Sequence, residues 1–207
     1  MPTNENAQTT VQTRRCGFRD VYLAKVTAND ASTYTAGTPF KLARAVSGKI
    51  SDKYSTEKIY SDDGVEESVT TYEGTDVELE LHALKPDEKS NVFGWLAQNG
   101  YLVAASDQIA PELALGFRSK RTNGKYEFTW LYAGKFGEGF ESDYQTEADK
   151  KTMQTDTIKG GFYARQKDNR IRIQVDEGQL ATADTDAAAA IKAWFEAVQE
   201  LPTTGGS

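Results

Sequence analysis

Three carboxylates spaced two residues apart, Asp76, Glu78 and Glu80, form the most suggestive chemical pattern in this chain. On a strand they share one face, while Val77, Leu79 and Leu81 fall on the other. Such a row can repel a polyanion over about a Debye length, ~8 Å at physiological salt. It is also what an ordinary solvated sheet face looks like, and His82, the single histidine, continues it. The pair Asp62-Asp63 ahead of Gly64 could suggest a metal, but the alternating oxygen ligands and closing Glu of a calcium loop are missing. Asp-Asp-Gly reads instead as a turn. Cys16 is the only cysteine, so no disulfide can form within the chain, and no motif connects it to His82. The sequence has no serine nucleophile elbow, no phosphate-binding glycine loop and no Cys/His set for zinc. No catalytic residues, metal or cofactor are expected.

The elements that must position the carboxylates are mostly strands. Residues 75–84 alternate cleanly, and 65–72 before them read as extended. The centre of the fold is expected at 113–136. Leu113, Leu115 and Phe117 alternate with smaller or polar residues, Asn123-Gly124 supplies a turn, and Tyr126, Phe128, Trp130 and Tyr132 return on one face. Burying each large ring is worth roughly 1.5–3 kcal/mol, so this hairpin can nucleate a core. One internal helix is expected over 86–99. Pro86 suits its first turn, Asp87 and Glu88 complement its dipole, and Asn99-Gly100 stops it. Val92, Trp95 and Leu96 would pack it on the sheet.

Further strands are expected at 21–26, 40–46, 49–61, 101–105, 152–165 and 169–175. Ile50, Tyr54 and Ile59 would anchor the 49–61 strand. Residues 1–16 read as a polar arm, 17–177 as one domain, and 178–207 as a linker with a C-terminal helix. Asp186 would cap that helix, with Ile191, Phe195 and Val198 in register. The arm and the polar stretches 29–39 and 137–151 are candidates for contacts between subunits. Leu-Pro-Thr-Thr-Gly at 201–205 matches a sortase sorting pattern, but no hydrophobic segment and basic tail follow it, so wall attachment is not expected.

The chain has 207 residues, 38% of them hydrophobic, and a formal net charge of −7. That balance argues against specific duplex-DNA binding, which needs concentrated Lys and Arg. MPTNENAQTT has neither the basic start nor the apolar run of a signal peptide, and no stretch approaches ~20 apolar residues. A soluble protein assembled in a cytoplasm is expected.

The run ALGFRS, NGKY and WLYAGKF resembles the major tail proteins of long-tailed phages with non-contractile tails, the group called phi13-type. GFRDVYLAKV at 17–26, YSDDG at 60–64 and VELELHAL at 77–84 precede it in family order; TDTIKGGFYAR at 155–165 and VDE at 175–177 follow. The match spans about residues 16–177. It implies a mainly β (α+β) fold, an antiparallel β-sandwich or barrel-like tail-tube domain with one packed helix. It also implies a structural virion protein that forms stacked hexameric rings, a tube conducting DNA from capsid to host. Partners would be further copies of the chain and the tape-measure, terminator and tail-tip proteins, with no membrane and no specific grip on the DNA. In such a barrel Asp76, Glu78 and Glu80 are expected to face the lumen, because an acidic wall would not bind the passing genome. The competing class is a monomeric β-sandwich binding module, for example for carbohydrate, which would need its aromatic rows exposed.

Overall fold

The computed structural model describes residues 13–61, 64–146 and 154–202. In chain order its elements begin β1 (Arg15–Asn29), β2 (Tyr34–Ala36), β3 (Phe40–Lys41), β4 (Ala45–Ser61), β5 (Gly64–His82) and α1 (Pro86–Phe93). They continue β6 (Leu96–Gln98), β7 (Tyr101–Val103), β8 (Leu113–Arg121), β9 (Tyr126–Ser142), β10 (Thr155–Tyr163), β11 (Arg172–Asp176) and α2 (Thr185–Lys192). All strand pairing is antiparallel, and the fold is mainly β, as the periodicity predicts. The main sheet runs β2-β1-β8-β9-β10-β5-β4, with β3 added to β1 and β11 to the first half of β9. It curls until the start of β4 lies beside the start of β1, where the Phe18 ring covers Gly48. Among the described residues no helix is long and apolar enough to cross a membrane.

The expected hairpin is present as β8 and β9, but its two faces serve different cores. Leu113, Leu115, Phe117 and Leu131 point inside the curl with Val77, Leu79, Leu81, Ile158 and Phe162. Strand register sets Gly116 opposite Trp130 and Arg118 opposite Phe128, so these rings stand on the outer face. There Phe128 and Trp130 are buried with Trp194, while Tyr126 is half-buried at the edge of the same cluster. A Cβ at position 116 would lie 2.7 Å from the Trp130 ring, so the indole needs glycine beneath it.

The segment past residue 177 packs on this outer face. Its helix is shorter than expected: α2 stops at Lys192, Asp184 occupies the N-cap position, and Asp186 lies in the first turn. The stop lets two consecutive rings reach the sheet, where a continued helix would turn them about 100° apart. Trp194 is 1% exposed, and Phe195 stacks on Tyr22 at 4.5 Å with an interplanar angle of 12°. The Trp130 indole N–H donates to the Trp194 carbonyl at 2.9 Å, and the Tyr132 hydroxyl donates to the Gln199 carbonyl at 3.1 Å.

A buried charge locks the end of this strap. Arg165 is fully buried, with its guanidinium 4.1 Å from the Tyr132 ring and 4.8 Å from the Tyr34 ring. It donates to both Asp168 oxygens at 2.7 Å and to Glu200 at 2.5 and 2.9 Å. Hydrogen bonding from Arg165 holds the Asp168 carboxyl down at about 2, and burial pushes the Tyr132 hydroxyl up to about 12.

The internal helix also ends early. Gly94 takes the left-handed conformation at φ 75, its N–H bonds the Ser90 carbonyl, and a Cβ there would sit 2.7 Å from the Ile109 carbonyl oxygen. Asn99 and Gly100, expected as the helix stop, both have positive φ and instead turn the β6–β7 hairpin. Val92 is fully buried and Phe93 nearly so, Trp95 is half-buried against Phe93 and Phe140, and Leu96 is 52% exposed on β6 rather than packed. Other boundaries shift too. β1 begins at Arg15, inside the expected arm, whose residues 1–12 lie outside the described residues. Of the proposed contact loops, 29–39 contains β2, and 137–151 is strand up to Ser142 while 147–151 lie outside the described residues.

Trp194→Ala is therefore expected to cost about 3–5 kcal/mol in urea unfolding, and Trp95→Ala only roughly 1–2 kcal/mol. The Asp168 pKa is lower folded than its ordinary 3.8, so its stabilisation is complete above that value and lost as pH falls through about 2. The urea midpoint of Asp168→Asn should consequently fall less than that of the parent chain between about pH 4 and about pH 2.

Candidate functional site

β5 places the carboxylate row as its alternation requires. Val77, Leu79 and Leu81 are at most 1% exposed inside the curl, and Asp76, Glu78 and Glu80 lie on the opposite face. The face is not the nearly unbroken acid that the strand alone suggests. Glu78 stands opposite Lys49 of β4 and Lys159 of β10. Lys53 pairs with Asp76 at 2.7 Å, and Lys159 with Glu141 at 2.6 Å. Both lysine pKa values are raised, chiefly by those hydrogen bonds. Glu80 accepts from the Ser47 hydroxyl at 3.0 Å and the Thr155 hydroxyl at 2.9 Å. The sequence signal for this compensation was present in Lys49, Lys53 and Lys159, but only strand pairing brings them to the row.

The same two strands continue past the sheet. β10 pairs β5 only from Thr75 to His82, so from Gly74 outward β4 and β5 form a ribbon with no third strand among the described residues. A bulge between Lys53 and Tyr54 marks where it leaves the body. Ile50 is a partly buried anchor as expected; Tyr54 and Ile59 are not, being 59% and 49% exposed on the ribbon with Val69 at 43%. Tyr54 and Tyr72 meet edge to face at 5.7 Å, and the Thr56 and Thr70 hydroxyls lie 3.1 Å apart. Residues 55–73 hold six acidic residues against one lysine.

Among the described residues no three His, Cys, Asp or Glu side chains come together as a metal site, and Cys16 is exposed. The aromatic row of the central hairpin offers no exposed platform, since Phe128, Trp130 and Tyr132 are all buried. The chain matches no protein-family model and no curated protein.

Proposed function

We propose that this chain is a self-assembling structural subunit, a tail tube protein like the phage major tail proteins its motifs resemble. The observation that carries the reading is the ribbon of β4 and β5. An isolated two-stranded hairpin is marginal in water, yet this one extends some eight residues beyond the sheet, roughly 26 Å at ~3.3 Å per residue. Among the described residues nothing covers its Tyr54, Ile59 and Val69, which a neighbouring subunit would bury. Beyond the Phe18–Gly48 contact the outer edge of β4 has no strand partner among the described residues, a template that ring closure or stacking would cover. Burial of the aromatic row under the strap weighs against the sugar-binding alternative. Asp76, Glu78 and Glu80 are read as lining the tube lumen, with interspersed lysines tempering the wall so that DNA is neither held nor strongly repelled.

Negative-stain microscopy and mass photometry of the purified chain should show rings or tubes; a strictly monomeric chain at high concentration would refute the reading. Tyr54→Ser with Ile59→Ser should lower the unfolding free energy from urea titration by no more than about 1–2 kcal/mol, because both side chains are largely exposed and the loss is confined to the Tyr54–Tyr72 pair. The same pair should abolish tube formation. Glu78→Lys with Glu80→Lys should permit tubes yet slow DNA ejection from virions, and ejection at the normal rate would count against a lumen-facing row.

A further inference from the structure

Two surfaces of opposite charge lie at opposite ends of β4. The ribbon carries the acid, with Glu57, Glu67 and Glu73 all exposed. At the other end, Ala45 borders a cleft of about 520 Å³ whose walls include Arg19, Lys41, Arg44 and Arg118, with Asp20 the one carboxylate among its lining residues. Asp20 sits on the β1 bulge at φ 54, a conformation that few non-glycine residues adopt. There it receives Lys41 at 2.6 Å and Arg118 at 2.6 Å. Burial works to raise the Asp20 pKa, but those two bonds outweigh it and hold the carboxyl below its usual range. One strained carboxylate thus fixes two cations, and among the described residues Arg19 and Arg44 have no carboxylate within ion-pair distance. The cleft keeps a surplus of positive charge on a chain whose net charge is −7.

We propose that this cleft receives the acidic ribbon of a second copy of the chain, a head-to-tail contact that rests on the self-assembly reading above. A chain cannot satisfy itself in this way. β4 starts at the cleft and runs away from it, so Glu57, twelve residues on from Ala45, lies roughly 40 Å off along the strand. A contact between two different surfaces of identical subunits closes into a ring or propagates as a filament, which is what an assembling tube needs. Opposite charge steers the approach and fixes its register, and it makes assembly weaken with salt.

The test uses two variants of the full chain: Glu57→Lys, Glu67→Lys and Glu73→Lys together on the ribbon, which reverses the sign of its net charge, and Arg19→Glu with Arg44→Glu in the cleft, which reverses that of the cleft. All five side chains are exposed, so circular dichroism and urea midpoints should match the parent. Sedimentation velocity at about 0.05 M salt should show each variant alone assembling about tenfold less than the parent, whose own assembly should fall toward about 0.5 M. An equimolar mixture should recover assembly, because each reversed ribbon then meets a reversed cleft. If both variants assemble like the parent, or the mixture fails to recover, the docking proposal is wrong while self-assembly stands. If the cleft variant assembles normally but loses binding to a labelled DNA duplex, the cleft is a nucleic-acid site and the proposal is likewise overturned. A parent chain that never assembles defeats both readings.

Discussion

The contact between Trp130 and the strap segment around Trp194 is the one on which the rest of the structure depends. β9 runs through the middle of the sheet, and its alternation sends Leu131 inward and Trp130 outward. A strand buried on one face only would leave Phe128 and Trp130 in water, exposing a large apolar patch at the centre of the molecule. The C-terminal segment resolves this by covering both rings and accepting the Trp130 N–H. The cover has a cost. The Trp194 indole N–H is itself buried without an acceptor among the described residues, worth about 1–3 kcal/mol in lost hydration. Burial of its ring and those beneath it more than offsets that.

Electrostatics complete what packing begins. Arg165 joins the chain just after β10 to the strap at Glu200, and it is a fully buried cation held by two carboxylates and two aromatic faces. Removing one partner of such a cluster leaves the others uncompensated, so the ties act as a unit rather than as separate pairs. The strap is thereby held at both ends of its course, by Trp194 and Phe195 over the sheet and by Glu200 at the guanidinium.

The ribbon is the opposite case. It leaves the body where β10 ends, retains pairing between its own two strands, and carries exposed aromatic and aliphatic side chains amid acid. Its charge and that of the cleft near Asp20 are of opposite sign and are held apart by the length of β4. The lysines between the β5 carboxylates temper the remaining face, so that it is polar and only modestly acidic.

The sequence by itself determined what depends on local period and on turn chemistry. The β8–β9 hairpin, the inward side of β5, the start of α1 at Pro86 and the antiparallel, mainly β character follow from alternation, Asn-Gly signals and helix-start residues. These are properties of neighbours in the chain. Whatever depends on partners distant in sequence was decided by the tertiary structure. Periodicity places Tyr126, Phe128, Trp130 and Tyr132 on one side of a strand, but it cannot say that this side is the outer one or that residues near 194 will cover it. It gives Asp76, Glu78 and Glu80 a common face, but the lysines that dilute their charge come from strands pairing across roughly twenty to eighty residues of sequence. Gly94 was a legible stop overlooked beside the stronger Asn99-Gly100 signal, and only the close approach of Ile109 shows why the helix must end there. Tyr54 and Ile59 look like core residues because hydrophobicity reports a wish to be buried. Whether anything in the same chain lies within reach is a matter of topology, and along the ribbon none of the described residues does, because β10 stops pairing at Thr75.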